Sequence, residues 1–205
     1  MTELLSQLVA DRMLAAGLDA STEVVAGCAV YLELLAKWNK TINLTALDLR
    51  SPIPAASIDK LVVEPLVGRS FVPAGLSRWV DLGSGGGSPA IPLRVAAPDG
   101  DLTMVESRER KCAFLREAAR RLGLARTGAL AVRFEDLQFS GADVVTFRAV
   151  RVDEAFVALL LRVCAPSARV LAFGSVVSDA RFAEIGAYGL PDGSALRVYE
   201  RIGAD

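Results

Sequence analysis

Four glycines fall within five positions of the stretch VDLGSGGGSPAIPL, which runs from Val80 to Leu93. Glycine weakens helices and strands alike, so such a run indicates a backbone that bends sharply or lies close to a ligand. The stretch follows a short apolar segment and precedes a helical one. In parallel sheets ligands bind here, on free backbone amides at the carboxyl ends of strands. We therefore interpret it as a ligand-binding loop rather than as a tight turn alone.

The spacing of the glycines discriminates between nucleotide ligands. A dinucleotide fingerprint needs its third glycine at position 88, where the chain has Ser88, and this argues against an NAD-type oxidoreductase. Instead Gly83, Gly85 and Gly87 follow Asp81 in a spacing that resembles the first motif of class I methyltransferases, which bind S-adenosylmethionine. The candidate cofactor residues of this loop are Gly83, Ser84, Gly85, Gly87 and Ser88.

Further positions after predicted strands fit a nucleoside. Glu106 ends the second strand, 23 residues after Gly83, and its carboxylate can accept hydrogen bonds from both ribose hydroxyls. NAD and S-adenosylmethionine both contain such a ribose, so Glu106 does not discriminate between them. After the third strand, Phe134 and Glu135 suit an adenine pocket, in which a ring packs on the base and an acid binds its amine. Phe134 can equally be a core residue.

Arg148 ends the fourth predicted strand, where the amino-acid end of a methyl donor and a substrate base would meet. A guanidinium at this place can bind a carboxylate or a phosphate. The alternative is a surface ion pair with Asp143 or Asp153. We assign no catalytic residue, and we regard Arg148 and Asn43 as candidates for positioning a substrate.

The periodicity of apolar residues predicts the elements that carry these positions. The first 70 or so residues are helical in pattern, and from Arg78 short strands alternate with amphipathic helices. This predicts a mostly parallel, Rossmann-like α/β sheet with helices on both faces. The predicted strands are RWVDLG, DLTMVES, GALAVRF, ADVVTFRA, ARVLAFG and ALRVYERI. We expect a helical N-terminal extension, residues 1–70, to pack on a cofactor-binding domain, residues 71–205, as one structural unit. A short helix from Ile58 is predicted to end at Pro65.

Composition excludes several kinds of site. Of the 205 residues, 52% are hydrophobic and 23% are charged, which is typical of a globular chain. The net charge of -1 gives no global indication of nucleic-acid binding. The chain has no histidine, which removes the commonest general base and most zinc sites. Cys28, Cys112 and Cys164 lack the spacing of metal ligands and are expected to be buried thiols. The cysteine spacing and the absence of histidine lead us to expect no metal. With no apolar stretch of 18 residues, we expect a cytoplasmic protein without a membrane span.

Several motifs together resemble the RsmG (GidB) family of bacterial 16S ribosomal RNA guanine-N7 methyltransferases. The stretches that carry the resemblance are LLAKWNKTINLTAL, DLGSGGGSPAIPL, ESRERKCAFLREAARRLGL, RFEDL and DVVTFRAV. The resemblance runs from about Tyr31 to the C terminus. It implies a class I methyltransferase fold, S-adenosylmethionine as the cofactor, and 16S rRNA of the small ribosomal subunit as the substrate. The family residues that bind the cofactor correspond to Gly83, Ser88, Phe134, Glu135 and Arg148.

The chain departs from the family pattern at several places. Ala55 and Ala56 stand where the family often has Arg-His, and Phe173 stands where it usually has a lysine after the fifth strand. In the glycine-rich stretch, Ala90 replaces a glycine. The lost basic side chains would weaken contacts with RNA. A non-catalytic RNA- or ribosome-binding module with the same fold is therefore the alternative function.

The chemistry of guanine N7 is compatible with a chain that lacks histidine. N7 has a lone pair and no proton, so its methylation needs placement of the base rather than a general base. The basic residues on the helix after the second strand offer either a phosphate-binding surface or a solvated face: Arg108, Arg110, Lys111, Arg116, Arg120, Arg121 and Arg126. A second basic strip would contain Lys37, Lys40, Arg50, Lys60 and Arg69. We interpret Trp38 as a core residue, whereas Asn43 either caps a turn or contacts a base. We expect a monomer.

Overall fold

The computed structural model describes residues 2–75 and 77–202, which form one seven-stranded sheet and its surrounding helices. The strands are β1 (Arg78–Leu82), β2 (Asp101–Val105), β3 (Thr127–Leu130), β4 (Ala142–Arg148), β5 (Cys164–Phe173), β6 (Phe182–Gly189) and β7 (Ala195–Arg201). The α-helices are α1 (Thr2–Ala15), α2 (Thr22–Asn39), α3 (Ala55–Ile58), α4 (Glu64–Val67), α5 (Ala90–Ala96), α6 (Glu109–Arg121) and α7 (Glu154–Val163). A π-helical turn, Asp59–Val63, joins α3 to α4, and a 3-10 turn, Gly68–Phe71, follows α4.

The sheet has the strand order β3-β2-β1-β4-β5-β7-β6. Strands β1 to β5 are parallel, while β7 runs antiparallel to both of its neighbours, β5 and β6. The order of the strands reverses between β1 and β4, and a crevice opens at such a point beyond the carboxyl ends of the strands. The glycine-rich stretch leaves β1 at this crevice. The predicted mostly parallel, Rossmann-like sheet is thus confirmed.

Alternating residues of the strands fill two cores, one on each face of the sheet. Trp79 of β1 lies in the core that also includes α2, α5 and α6. Val80, one residue later, lies in the core under α7. Both side chains are fully buried, as expected for a parallel sheet that is covered on both faces.

A glycine lets helix α2 pack closely on α5, and an ion pair joins α1 to the π-helical turn within the N-terminal part of the chain. A Cβ at Gly27 of α2 would lie 2.6 Å from Cγ1 of Val95, so the glycine allows α2 to approach α5 closely. Arg12 of α1 donates two hydrogen bonds, of 2.8 and 2.7 Å, to the carboxylate of Asp59. The division into an extension of residues 1–70 and a domain of residues 71–205 stays a prediction.

Three strand predictions were wrong. The fifth strand was predicted from Ala168, but β5 begins at Cys164; the other two errors lie at the sheet edges. The stretch GALAVRF was predicted to be extended up to Phe134, but β3 ends at Leu130. Its partner β2 ends at Val105, opposite Leu130, so no neighbouring backbone remains to pair with the following residues. Strand β6 was not predicted at all. Its sequence, FAEIGAYG, lacks regular alternation, and the strand is a mostly exposed edge with an irregularity between Glu184 and Gly186.

The helical segment before β1 extends further than predicted. We predicted a stop at Pro65, whereas helical backbone continues to Val67 and into the 3-10 turn. Pro65 lies at the start of α4, into which the π-helical turn runs directly. Its missing N–H leaves the carbonyls of the preceding turn free, and those of Lys60 and Leu61 accept hydrogen bonds from Arg148 and Ser88 instead.

The predicted burial of the three thiols is confirmed, since Cys28, Cys112 and Cys164 are all buried and free. Among the helices of residues 2–75 and 77–202, none combines the length and the hydropathy needed to cross a membrane.

Candidate functional site

The loop after β1, residues 83–88 and here named the glycine loop, adopts a backbone that ordinary residues rarely adopt. Gly83, Gly85 and Gly87 have φ values of 77°, 53° and 88°. At Gly87 a Cβ would also lie 2.5 Å from Cδ1 of Ile91. The three glycines that the sequence singled out are thus required by the backbone conformation itself.

Asp81 lies beneath the glycine loop in a buried polar chain. Its Oδ1 accepts a hydrogen bond of 2.5 Å from the hydroxyl of Thr146, which in turn accepts one of 3.0 Å from Nε1 of Trp79. Oδ2 of Asp81 is buried and finds no hydrogen-bond partner within the described residues. Burial raises the pKa of Asp81 to about 6. An acceptor with a perturbed pKa therefore lies below the loop, and such groups are frequent at functional sites.

Glu106 follows β2 and is bonded directly to the glycine loop. Its Oε2 accepts a hydrogen bond of 3.1 Å from the amide of Gly85, and its Oε1 accepts one of 2.9 Å from the amide of Arg108. Oε1 also accepts a hydrogen bond of 3.4 Å from the hydroxyl of Ser107. Since a carboxylate offers about four acceptor positions, Oε2 keeps capacity for another donor. The structure thus places next to the loop the acid that the sequence predicted as a ribose ligand.

Phe134 lies at the other side of the loop from Glu106, and Glu135 is exposed. A Cβ added to Gly83 would come within 3.7 Å of Cζ of Phe134 and 3.4 Å of Val150, so the absence of a side chain at Gly83 leaves room between them. Phe134 also packs edge-on against Phe156, with ring centroids 5.6 Å apart. Phe134 is half-buried. The ring position fits an adenine pocket, and the role of Glu135 toward a ligand stays a prediction.

Arg148 is held inside the protein rather than on its surface. The alternative of an ion pair with Asp143 or Asp153 is wrong, because the guanidinium lies 3.2 Å from Oε2 of the buried Glu64. Only 13% of its side chain is exposed. The guanidinium also donates to the carbonyl oxygen of Lys60 and lies 5.0 Å from the ring centre of Phe173. Its predicted role toward a cofactor or substrate stays a prediction.

Both serines of the glycine loop turn their hydroxyls into the protein. Ser84 donates a hydrogen bond of 3.2 Å to the carbonyl oxygen of Asp81. Ser88 donates one of 3.0 Å to the carbonyl oxygen of Leu61. These bonds support the shape of the loop, so any contact of the hydroxyls with a cofactor would come in addition to them.

The turn after α2, residues 39–45 and here named the signature turn, is organised by Asn39, a residue of the signature to which the sequence analysis assigned no role of its own. Oδ1 of Asn39 accepts hydrogen bonds of 2.8 and 3.0 Å from the amides of Leu44 and Thr45, and its Nδ2 donates one of 3.0 Å to the carbonyl oxygen of Thr45. An asparagine at the end of a helix was the signal for this role. Asn43, which was proposed to cap a turn or contact a base, is exposed. Trp38, interpreted as a core residue, is partly buried and packs against the edge of the core, with its ring centroid 5.9 Å from that of Phe114.

The basic residues of the α6 region fall into two groups at opposite ends of the helix. Arg108, Arg110 and Lys111 lie at its start, next to Glu106. Arg121 is the last residue of the helix and Arg126 lies beyond it, about 20 Å from the start along 13 residues. In the middle, Arg116 and Arg120 are paired with acids of the same helix, at 2.6 and 2.8 Å. Only the first group adjoins the glycine loop and Glu106.

The second predicted basic strip is largely engaged within the protein. Arg50 is paired with Asp48, Lys60 with Glu64 and Asp192, and Arg69 donates to backbone carbonyls. Lys37 and Lys40 are exposed near the signature turn. They border an open cavity of about 820 Å³ between α1, α2 and residues 47–53 that includes no residue of the glycine loop. Of the five basic residues of the predicted strip, these two lysines are therefore the candidates that remain for contact with RNA.

Three comparisons relate the chain to known proteins. A family model described as GidB, rRNA small subunit methyltransferase G, matches residues 26–181. The ribosomal RNA small subunit methyltransferase G of Neisseria meningitidis serogroup B is 40% identical over 136 residues, or 66% of this chain and 63% of that protein. The chain thus spans less than two thirds of the length of this relative. The protein of the same name from Ralstonia nicotianae is 37% identical over 176 residues, covering 84% of this chain and 77% of that protein.

A solved structure is similar in fold. The RNA methyltransferase from Salinibacter ruber, in complex with S-adenosyl-L-homocysteine, superposes with a TM-score of 0.53 and 20% sequence identity. The match covers 63% of this chain and 83% of that one. The predicted class I methyltransferase fold is confirmed by this likeness.

Proposed function

Because this chain belongs to the GidB family, rRNA small subunit methyltransferase G, we propose that it methylates guanine N7 in 16S ribosomal RNA with S-adenosylmethionine as the methyl donor. The proposed partner is the small ribosomal subunit, which the protein meets as a monomer in the cytoplasm. The site residues proposed for the cofactor are those of the glycine loop, with Glu106, Phe134, Glu135 and Arg148.

The hydrogen bond between Gly85 and Glu106 is the observation that carries the proposal. It brings a carboxylate with remaining acceptor capacity to a loop whose glycines leave the backbone open to a ligand. A ribose with two free hydroxyls fits such a carboxylate, and a ring such as that of Phe134 fits the attached base. Oδ2 of Asp81, which lacks a partner within the described chain, could accept from the amino group of the methyl donor.

The proposed reaction requires no general base from the protein. S-adenosylmethionine, when bound, supplies a methyl group activated by the positive charge of its sulfonium. Attack by the lone pair of guanine N7 would form a C–N bond as the C–S bond of the donor breaks, leaving S-adenosylhomocysteine, and no proton would have to leave the nitrogen. The task of the protein is then to hold N7 in line with the methyl group and to exclude water. The absence of histidine from the sequence is consistent with such a mechanism.

We assign the contact with RNA phosphates to the start of α6. Arg108, Arg110 and Lys111 adjoin Glu106, so phosphates that bind there would bring a base toward the cofactor crevice. Arg148 and Asn43 are the candidates for positioning that base. Asn43 is exposed on the signature turn and open to contact with RNA. Arg148 would have to exchange its ion pair with Glu64 for an interaction with the ligand.

Calorimetry with S-adenosylhomocysteine tests the cofactor. We expect the unaltered chain to bind it, and Glu106→Ala to weaken binding about tenfold or more because the hydrogen bonds of a carboxylate are lost. Glu154→Ala, which removes an exposed acid at the start of α7, is the matched control and should bind as the unaltered chain does. No heat of binding at millimolar ligand would contradict the cofactor.

Methylation of small ribosomal subunits tests the substrate. Subunits from a strain without this methylation are incubated with the protein and labelled S-adenosylmethionine, and the modified base is mapped. We expect one guanine to be methylated at N7. Binding of the subunit without incorporation would favour the non-catalytic RNA- or ribosome-binding module, which the replacement of basic residues by Ala55, Ala56 and Phe173 motivates.

A further inference from the structure

Tyr31 of α2 reaches the glycine loop from the N-terminal part of the chain. Its side chain is fully buried, and its hydroxyl donates a hydrogen bond of 2.8 Å to the carbonyl oxygen of Gly86. The two residues are 55 positions apart, so the contact exists only in the folded chain. A phenylalanine ring would fill nearly the same volume. Packing alone therefore does not require the hydroxyl, and its distinct contribution is the bond to the loop.

Gly86 is enclosed on the same side. A Cβ there would lie 3.1 Å from the carbonyl oxygen of Leu44 and 3.4 Å from Cδ1 of Leu35. The hydrogen bond of Tyr31 and these two contacts all come from α2 and the signature turn. Together they hold the outer part of the glycine loop against the N-terminal helices.

The orientation of this one peptide group affects the whole loop. The carbonyl of Gly86 and the amide of Gly87 belong to one rigid plane, and that amide donates a hydrogen bond of 2.7 Å to the carbonyl oxygen of Ser84. Gly85 and Gly87, the residues before and after Gly86, have positive φ and no side chains to restrict rotation. Without an external bond, the plane and the amide of Gly85 would have more freedom to rotate.

We propose that Tyr31 is a positioning residue for the glycine loop, holding the Gly86–Gly87 peptide so that the amide of Gly85 and the carboxylate of Glu106 keep the geometry that a nucleoside ligand needs. The inference rests on the proposed function, since it assigns the ligand to the methyl donor. Tyr31 acts through the loop and contacts neither donor nor substrate.

The chemical state of the phenol agrees with this role. Burial raises the pKa of Tyr31 well above its ordinary value, so the hydroxyl keeps its proton and remains a donor. The residue therefore positions the backbone and takes no part in proton transfer.

Tyr31→Phe removes the bond and leaves the ring in place. We expect the dissociation constant for S-adenosylhomocysteine and the KM for S-adenosylmethionine to rise about 3- to 10-fold, the effect of one buried hydrogen bond, with kcat at saturating donor changed less than about twofold. Tyr199→Phe is the matched control. The hydroxyl of Tyr199 is also buried and accepts a hydrogen bond of 3.1 Å, from the amide of Val177, away from the glycine loop. This variant should lose similar stability and keep full affinity.

Two results would overturn the proposal: unchanged affinity in Tyr31→Phe, or an equal loss of affinity in Tyr199→Phe, which would indicate a general effect of destabilisation. A complete lack of binding by the unaltered chain would instead overturn the proposed cofactor, and the role of Tyr31 with it.

Gly86→Ala tests the same contact from the loop side if Tyr31→Phe does not fold. Gly86 lies outside the left-handed region, so alanine strains no dihedral angle there but presses on Leu44 and displaces the loop. Gly189→Ala, at a position with open space around the added Cβ, is its control. We expect Gly86→Ala alone to weaken binding of S-adenosylhomocysteine, and equal affinities of the two variants would overturn the proposal.

Discussion

The signature turn and the glycine loop contact each other at Leu44 and Gly86, yet they are held in different ways. In the signature turn, one side chain, that of Asn39, makes three hydrogen bonds to the backbone of the next few residues. In the glycine loop, one backbone hydrogen bond is local, from the amide of Gly87 to the carbonyl oxygen of Ser84, and further bonds involve residues distant in sequence, among them Tyr31 and Glu106. The first segment is organised locally, and the second depends on the assembled fold.

The two ways of holding a segment have different consequences for the binding of a ligand. A turn bonded to its own asparagine keeps its shape whatever binds beside it. A loop of glycines bonded to several distant elements is set by all of them together, so its backbone can lie open to a ligand and still be fixed. We therefore expect the signature turn to be destabilised by the replacement of Asn39 alone. The glycine loop should respond to substitutions both within it and outside it.

The largest expected effect is that of Gly87→Ala. The added Cβ would meet Cδ1 of Ile91 at 2.5 Å on a backbone with φ of 88°, so strain and overlap add, at a cost of about 2 to 4 kcal/mol of stability. Urea unfolding measures the loss. Gly17→Ala has a similar φ, 70°, with open space around the Cβ, and should cost only about 1 to 2 kcal/mol. Equal losses in the two variants would mean that the overlap at Gly87 is relieved at no cost.

The buried acid beneath the loop predicts a pH dependence. The folded chain keeps a proton on Asp81 up to about pH 6, while the unfolded chain releases it near its ordinary pKa of 3.8. Between these values the folded state binds more protons, so the contribution of Asp81 to stability falls as the pH rises from about 4 to about 6. The fall should amount to about 2 to 3 kcal/mol.

Asp81→Asn should remove this fall, because the amide does not titrate. Urea unfolding at pH 4.5 and pH 7 measures it, and Asp101→Asn, at an exposed position of β2, is the control that should keep it. A variant whose stability still falls to the same extent between the two pH values would show that another group is responsible.

Asn39 and Asn43 test whether the signature turn is organised by one side chain. Asn39→Ala removes three hydrogen bonds and should cost about 2 kcal/mol. Asn43→Ala, at an exposed position four residues later, should change stability by less than about 0.5 kcal/mol. Thermal unfolding measures both, and methylation of the small subunit shows whether Asn43 contacts RNA. Comparable losses of stability would contradict the assignment of the turn to Asn39.

The sequence predicted those parts of the fold and site that depend on local patterns. Alternation of strands and helices indicated the parallel sheet, and the glycine spacing with Glu106 indicated a ligand loop at the end of β1. The family resemblance is confirmed by the match of the GidB model to residues 26–181. These features are readable because a positive φ selects glycine and a buried strand selects apolar residues.

What the sequence did not predict depends on contacts between distant residues. The bond from Tyr31 to Gly86 and the pairing of Arg148 with Glu64 join elements whose arrangement follows only from the complete fold. Strand β6 was missed because an exposed edge imposes no apolar alternation. Asn39 is the exception, since its contacts are local. Two asparagines four residues apart offered the same residue type, and only the backbone geometry shows which one bonds the turn.

Among the substitutions in the glycine loop, the smallest expected effect is that of Ser88→Ala, and it separates the support of the loop from its contact with a ligand. The variant loses the hydrogen bond to the carbonyl oxygen of Leu61, which should reduce stability by about 1 kcal/mol. If Ser88 only fastens the loop to the helical segment before β1, affinity for S-adenosylhomocysteine should change less than about threefold, measured by calorimetry beside urea unfolding. A tenfold loss of affinity with little loss of stability would instead assign the hydroxyl to the cofactor, as the sequence predicted. The loop would then contribute a side chain to binding as well as a backbone, and its dependence on distant elements would be only part of how it works.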